Sequence, residues 1–502
     1  MSGVRLDALC SVSGVKEIVG DGSVEVSGVE SDSRRVREGQ LFAAIRGESF
    51  DGERFASDAV ARGARAVLAT RALALGVPVL VCDDVRACLG PVSHRVYGEP
   101  TRSMHSVGIT GTNGKTTVTY LLEHVLSALG ARPALLGTIA LRGPAGAVDA
   151  ALTTPEADVI ARFASEQRAA GATHLVMEVS SHALAQRRVL GMTFEVCGFT
   201  NLTQDHLDFH GTMEAYGAEK ARLFEEYAPR HSVIMVDTPF GAELASRAKG
   251  RVWRASMRAD AAAELRVSAF SSSREGIRAV LHTPVGELSL ESPLFGAHNL
   301  ENLLVTLGAA LALGLDARAC IEALRTAQGA PGRLQRIADT RDVLVLVDYA
   351  HTPDAVARAT SALRPLTSGR LFVLCGCGGD RDRKKRAPMA EAAAREGDVV
   401  VLTSDNPRTE DPLAILAEMR EGAVRANAPE LSVEALAAAS RGYTVIADRA
   451  EAIARVIAAA RAGDTVLIAG KGHEPYQIVG TEKRPFDDRE QARQAIFAAG
   501  GG

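Results

Sequence analysis

The sequence predicts an α/β protein of three domains, with a central P-loop ATPase-like parallel sheet and a C-terminal Rossmann-like doubly wound domain. Three observations predict it. The length of 502 residues makes about three domains at the usual domain size. Short apolar runs alternate with helical stretches along most of the chain. A glycine-rich turn, 111–117, joins one such run to a helix, as phosphate-binding loops do. Turn-rich breaks at Gly98-Glu99-Pro100-Thr101 and Gly329-Ala330-Pro331-Gly332-Arg333 divide the chain into 1–103, 104–332 and 333–502.

In the first domain the runs 66–69 and 79–81 read as short strands between Gly-rich turns and helices. In the second, 107–110, 174–179, 196–200 and 232–236 read as strands of a parallel sheet, and the shorter alternating runs between 265 and 290 as hairpins on its edge. The third carries a regular series at 343–347, 371–374, 399–402, 443–446 and 465–468, each followed by an Ala-rich helical segment or a turn.

With 46% hydrophobic and 24% charged residues the chain reads as globular. A net charge of -4 argues against general binding to nucleic acid or a membrane surface. The seven cysteines are odd in number and scattered, which fits neither a disulfide framework nor a zinc site, and Cys375 and Cys377 read as buried thiols. The most apolar run, 303–315, stops at Asp316 and is too short to span a bilayer. A cytoplasmic protein is expected.

The turn Gly111-Thr112-Asn113-Gly114-Lys115-Thr116-Thr117 follows a strand and opens a helix. Its backbone N–H groups can surround a phosphate, Lys115 can reach the outer phosphates, and the Thr116 hydroxyl can ligate Mg²⁺. The spacing departs from the common P-loop, because Ile109 stands five before Gly114. A glycine turn that merely caps a helix is the plain alternative; the strand–turn–helix setting favours ATP. Glu178 ends the run 174–179, at the edge where parallel sheets bind ligands, and a carboxylate there can share Mg²⁺ with Thr116. A salt-bridged or capping Glu178, and Ser180 and Ser181 as helix caps, are the competing readings. His206 and His210 have i,i+4 spacing, but Leu207 stands where a zinc-protease helix carries Glu. Thr153-Thr154-Pro155-Glu156 either caps a helix or supplies hydroxyls to a substrate.

Together with Glu178-Val179-Ser180-Ser181-His182, the run from Thr200 to Gly211 and Glu214-Ala215-Tyr216-Gly217-Ala218-Glu219-Lys220, these motifs resemble the Mur ligases. These are the ATP-dependent amino-acid-adding enzymes of peptidoglycan synthesis, and the resemblance covers essentially the whole chain. It implies that Thr116 and Glu178 hold one Mg²⁺, that His206 and Lys220 hold another, and that Lys220 is carbamylated by CO₂ into a carboxylate-like ligand. Without the resemblance, Lys220 reads as a surface helix lysine. The resemblance also places Asn299 and Asn302 at the adenine, Asp348 at the ribose and Arg333 at the phosphates.

The first domain resembles the uridine-binding domain of the family members that add the third amino acid. Ser31, Ser33 and the segment Glu48-Ser49-Phe50 would then contact UDP, and Thr153, Thr154, Ser180, Gln186 and Arg188 the muramoyl-dipeptide. In the third domain, Asp405-Asn406-Pro407-Arg408 follows one strand, Gly378-Gly379-Asp380-Arg381-Asp382 another, and Gly470-Lys471-Gly472-His473-Glu474 the last. Arg408 and Arg381 offer forks for carboxylates, and Glu474 a partner for an ammonium. Asp405, Asn406, Pro407, Arg408, Arg381, Gly470 and Glu474 resemble the diaminopimelate-binding set of the family, whose lysine-adding members usually lack this arginine. The basic run 383–386 reads as a solvated face.

The resemblance thus implies joining of UDP-MurNAc-L-Ala-D-Glu to meso-2,6-diaminopimelate at the expense of ATP, by a monomer with no nucleic-acid or membrane partner. The alternatives are the same ligase using L-lysine or L-ornithine, a folylpolyglutamate-type relative, and a non-catalytic ATP- and precursor-binding paralogue. A dinucleotide-dependent oxidoreductase is disfavoured, since Cys375-Gly376-Cys377-Gly378-Gly379-Asp380 lacks the third glycine of a dinucleotide turn.

Overall fold

The computed structural model describes residues 3–47 and 51–501. The expected uridine segment Glu48-Ser49-Phe50 lies outside the described residues. The chain forms two compact units, one of Met1–Ala269 with Val280–Ser289 and Glu301–Leu324, the other of Phe270–Ala279 with Leu290–Leu300 and Arg325–Gly502.

The first unit opens with a five-stranded sheet in the order Val15–Val19, Val79–Cys82, Ala66–Ala69, Gln40–Ala43, Gly28–Glu30. All neighbours run parallel except the edge strand Val15–Val19. Ala66–Ala69 and Val79–Cys82 are apolar and buried throughout, because side chains from each sheet face enter a separate core. The Asp84 carboxylate caps the helix Val85–Val96 by accepting from Arg86 N. This helix packs so closely on the 187–192 turn that a Cβ at Gly90 would sit 1.8 Å from the Leu190 carbonyl oxygen.

The larger sheet has eleven strands. Its centre is parallel, in the order Pro133–Leu136, His174–Glu178, His105–Thr110, Val196–Phe199, His231–Met235, Arg251–Ser256. Glu178 pairs in register with Ile109, and Phe199 with Thr110. The loops leaving three neighbouring strands therefore emerge together, at the edge where such sheets hold ligands. The expected hairpins appear as Leu265–Ser273, Gly276–Thr283 and Gly286–Ser292 at one end of the sheet. At the other end stands an unpredicted ribbon, Ala140–Gly143 with Gly146–Asp149, whose second strand is exposed along its length and lacks an apolar signature.

In the second unit six strands run in the order Gln335–Ile337, Leu344–Asp348, Thr465–Ala469, Leu371–Cys375, Val399–Leu402, Gly442–Val445, the first antiparallel and the others parallel. Leu344, Leu346 and Val373 pack on helices Pro353–Leu363, Arg386–Glu396 and Pro412–Arg425. Val345, Val347 and Phe372 pack on Arg449–Ala459 and Asp488–Ala498. Helices thus cover both faces, as a doubly wound domain requires. Cys375 and Cys377 are buried free thiols, as expected. Arg386 corrects the reading of 383–386 as a solvated face: it is fully buried and pairs with Glu410 at 2.8 Å and Glu418 at 3.1 Å. Among the described residues, no helix is long and apolar enough to cross a membrane.

Candidate active site

The glycine turn joins the strand His105–Thr110 to the helix Lys115–Ala128, the strand–turn–helix form that the sequence predicts. Gly111 and Gly114 have φ of 147° and 89°, and a Cβ would meet the Thr200 hydroxyl at 1.9 Å or Asn302 Oδ1 at 2.2 Å. Only glycine fits both positions. The helix Lys115–Ala128 begins directly after Gly114, so its first N–H groups and positive dipole end face the turn. Lys115 Nζ donates to the carbonyls of Gly111 and Thr112, both at 2.9 Å.

Thr116 Oγ1 donates to Glu178 Oε2 at 3.0 Å. The same carboxylate accepts from Thr138 N at 2.7 Å and from Thr138 Oγ1 at 3.0 Å. Thr138 was not singled out from the sequence; an isolated threonine after a strand carries no signal of its own. The Thr138 hydroxyl also reaches Thr153 Oγ1 at 3.1 Å, which ties Thr153 to the Glu178 carboxylate. A hydroxyl and a buried carboxylate in contact form an oxygen donor pair that suits Mg²⁺ completed by phosphate oxygens.

Lys220 departs from its reading as a surface lysine. It lies on the helix Met213–Glu225, 1% exposed. Its Nζ donates to the Gly111 carbonyl at 2.9 Å and sits 4.4 Å from the centre of the Tyr216 ring. Burial and the neighbouring Lys115 hold its amine well below the ordinary lysine range. Two amines thus converge on the one carbonyl oxygen of Gly111. His206 stands near, its ring 6.1 Å from that of Tyr216 and Nε2 3.4 Å from Asp205 Oδ2. Burial, with Lys115 and Lys220, lowers His206 in spite of Asp205. A neutral imidazole is the ligand form of histidine. His210 does not join His206 as a zinc pair: its Nε2 contacts Ser181 Oγ at 2.9 Å.

The proposed dipeptide binders form a continuous network. Thr154 Oγ1 donates to the Glu178 carbonyl at 2.9 Å and accepts from Ser180 N at 3.1 Å. Ser180 caps the helix Ser181–Ala185 by accepting from Ala183 N. Arg188 donates to Thr154 O at 2.9 Å and Gln186 Oε1 at 2.7 Å. Ser31 and Ser33 are half-buried at the end of the smaller sheet, and Ser31 N donates to Asp158 Oδ2 at 2.9 Å.

In the second unit, Asp348 accepts from the backbone of Leu334 and Ala350, at 2.6 and 2.8 Å. Arg333 stacks over Tyr349 with 4.7 Å to the ring centre. On the helix Ala297–Ala312, Asn299 in this unit and Asn302 in the first unit are both buried, and Asn299 Nδ2 donates to Phe295 O at 2.9 Å. The residues expected to bind the amino acid come from three loops. Arg408 Nη1 donates to Gly379 O at 2.8 Å, and Gly379 N to Asn406 O at 2.9 Å. A Cβ at Gly379 would sit 1.9 Å from Pro407 O, so the 376–382 loop approaches as closely as backbone allows. Arg381 lies on that loop, exposed. Asn406 Nδ2 donates to Glu474 Oε2 at 3.1 Å, and a Cβ at Gly470 would sit 3.8 Å from Asp405 Oδ2. An unpredicted ribbon, Tyr476–Val479 with Glu482–Pro485, backs this set, with Arg408 N donating to Ile478 O at 3.0 Å.

A glycine turn opening a helix, an oxygen donor pair beside it and a doubly wound domain with a charged loop set are the features expected of an ATP-dependent ligase. Three family models match the chain: "Mur ligase family, catalytic domain" over 25–99, "Mur ligase middle domain" over 109–310, and "Mur ligase, glutamate ligase domain" over 332–472. The chain belongs to the Mur ligase family. Within it, the chain is 45% identical to the UDP-N-acetylmuramoyl-L-alanyl-D-glutamate–2,6-diaminopimelate ligase of Parasynechococcus marenigrum (strain WH8102), over 98% of this chain and 99% of that one. It is 42% identical to the enzyme of the same name from Geobacter sulfurreducens, over 99% and 100% of the two chains. A solved structure of a UDP-N-acetylmuramoyl-L-alanyl-D-glutamate–2,6-diaminopimelate ligase shares 35% identity, with a TM-score of 0.73 and 100% of both chains covered. The fold is also that of a Thermotoga maritima MurF ligase solved in complex with ADP, at 17% identity, a TM-score of 0.62, and 94% and 97% coverage.

Proposed function

We propose that this chain is an ATP-dependent ligase that joins meso-2,6-diaminopimelate to the D-Glu γ-carboxylate of UDP-MurNAc-L-Ala-D-Glu, in the cytoplasm and as a monomer. One observation carries the reading: the chain that sets Thr116 Oγ1 on the Glu178 carboxylate also builds a loop set in which Asn406 bonds Glu474 and is joined to Arg408 through Gly379. The names of relatives at over 40% identity across nearly the whole chain support the choice of substrates.

In this reading residues 1–103 hold the uridine, 104–332 the ATP and dipeptide, and 333–502 the incoming amino acid. The γ-carboxylate takes the γ-phosphoryl group of ATP, giving an acyl phosphate and ADP. The diaminopimelate amine then attacks the acyl carbon; the C–N bond forms, phosphate leaves, and the amine loses a proton. Lys115 and the helix N-terminus offset charge on the transferred group. Bound Mg²⁺ would supply further charge stabilisation there, held by Thr116 and Glu178, and by His206 with a carbamylated Lys220. A lysine amine must be neutral to add to CO₂, forming the N–C bond and releasing a proton. The burial of Lys220 and its crowding by Lys115 favour that neutral form. Arg408 and Arg381 orient the distal carboxylate of diaminopimelate, and Glu474 its ammonium.

The test is ADP release from ATP with UDP-MurNAc-L-Ala-D-Glu and a panel of meso-diaminopimelate, L-lysine and L-ornithine. Release is expected only with precursor and diaminopimelate together. Equal turnover with lysine would overturn the substrate, and ADP release with no acceptor would overturn the ligase.

A further inference from the structure

The deepest positive charge in the amino-acid receptor belongs to a residue that the reading above leaves unassigned. Lys471 is fully buried. Its Nζ donates to Asn406 Oδ1 at 3.0 Å and Asp405 Oδ1 at 3.2 Å, and lies 3.6 Å from Glu474 Oε2. The centre of the Tyr476 ring is 5.7 Å away. These partners come from two loops that leave neighbouring parts of one parallel sheet, and both loops carry the side chains assigned above to the amino acid. Two further bonds hold the arrangement: Gln477 Nε2 donates to Asp405 O at 2.8 Å, and Ile478 N to Asn406 Oδ1 at 3.0 Å.

We propose that Lys471 is a positioning and specificity-determining residue: its ammonium holds Asp405, Asn406 and Glu474 in register and makes the receptor reject a monocarboxylate cation such as lysine. The inference rests on the diaminopimelate reading above. Charge arithmetic carries it. Lys471 contacts both Asp405 and Glu474; with Arg381 and Arg408, assigned above to the substrate's carboxylate, the set counts three cations against two carboxylates, an excess of one positive charge. Diaminopimelate with its attacking amine neutral has two carboxylates and one ammonium, an excess of one negative charge. Lysine in the same state has none. Without Lys471 the same set would be neutral, and Asp405 and Glu474 would lose the cation that contacts both of them, which leaves them open to a second ammonium. Selectivity therefore combines attraction by Arg408 with repulsion by Lys471.

The experiment compares kcat/KM for meso-diaminopimelate and L-lysine in the full-length wild type, Lys471→Gln and Lys471→Arg. Glutamine keeps a donor toward Asp405 and Asn406 but removes the charge; arginine keeps the charge. The diaminopimelate-to-lysine ratio is expected to fall at least tenfold in Lys471→Gln and to stay within threefold of wild type in Lys471→Arg, with the KM for ATP unchanged in both. A parallel fall for both amino acids in Lys471→Gln, leaving the ratio fixed, would mean that Lys471 only holds the loops and would overturn the proposal. Failure of both variants to fold, read by circular dichroism, would also overturn it by assigning Lys471 to the scaffold. The wild-type arm tests the parent reading separately: if wild type does not use diaminopimelate, that reading fails whatever the variants do.

Discussion

Lys220 and Lys471 are both withdrawn from solvent, at 1% and 0% exposure, yet their surroundings are opposite in charge. Lys471 lies among two carboxylates and an amide oxygen. Lys220 meets a backbone carbonyl, an aromatic face and a second lysine that shares that carbonyl, and forms no ion pair with the described residues. A buried cation set among counter-charges organises what surrounds it. A buried amine without them gives up its proton and becomes a nucleophile. Burial alone therefore says little about what a lysine does; the charge within reach decides.

The strongest way to break this contrast is at Lys220. Replacement by alanine removes a ligand from a site that stabilises the transferred phosphoryl group, an effect of several kcal/mol, so turnover should fall on the order of a thousandfold. Added acetate or another short carboxylate should restore part of it, because the missing group is an anion and not an amine. Rescue by a short alkylamine in place of a carboxylate would show that the ammonium itself works there, and the contrast with Lys471 would collapse. ADP release under saturating substrates is the measurement.

A smaller effect sharpens the other pole. Arg408→Ala removes the fork assigned to the distal carboxylate while leaving Lys471 and Glu474 in place. A charge-assisted hydrogen bond is worth about 1.5–3 kcal/mol, so the preference for diaminopimelate over lysine should drop roughly tenfold to a hundredfold. Lysine itself should lose little. Equal losses for both amino acids would assign Arg408 to tethering the 376–382 loop, through its bond to Gly379 O.

The smallest expected effect concerns an unmatched anion. Asp158 is 1% exposed, its Oδ1 has no hydrogen-bond partner among the described residues, and Oδ2 accepts from Ser31 N. Burial and then the adjacent Glu30 raise its carboxyl to about 6 from an ordinary 3.8, while Arg162, 3.6 Å from Glu30, faces the pair. A carboxyl raised in the folded state costs nothing well below pH 4; the cost grows between about 4 and 6 and is complete above 6. Asp158→Asn keeps an acceptor for Ser31 and should match wild type in Tm near pH 4. Above pH 6 it should exceed wild type by a few degrees, from on the order of 1–3 kcal/mol. Variant and wild type melting alike at pH 8 would show that Arg162 already balances the pair.

The three regions differ in how much of them could be read from the sequence. The buried strands were legible because a parallel strand covered on both faces is an unbroken apolar run, as at 399–402. The glycine turn was legible because part of what fixes it is local: Gly111 and Gly114 adopt backbone angles that other residues avoid. Lys220, Arg386 and Lys471 were misread or passed over for one physical reason. A charged residue is buried only when partners distant in sequence assemble around it, and neither Glu410 and Glu418 for Arg386 nor Asp405 for Lys471 leaves a periodic trace. The two polar ribbons, 140–149 and 476–485, escaped because exposed strands owe their form to pairing and not to an apolar pattern.

The contact of Gly90 with the Leu190 carbonyl bears on how such a chain can be rebuilt. Backbone meets backbone there with no side chain between, and at Gly191 an added Cβ would likewise sit 2.7 Å from Pro91 N. A seam of this kind has no tolerance: a transplant of the first hundred residues from a relative must bring glycine at 90 and meet the same 187–192 turn. A hybrid that spliced within 1–192 would have to match both sides of the seam at once, whereas one that spliced beyond it would leave the joint intact.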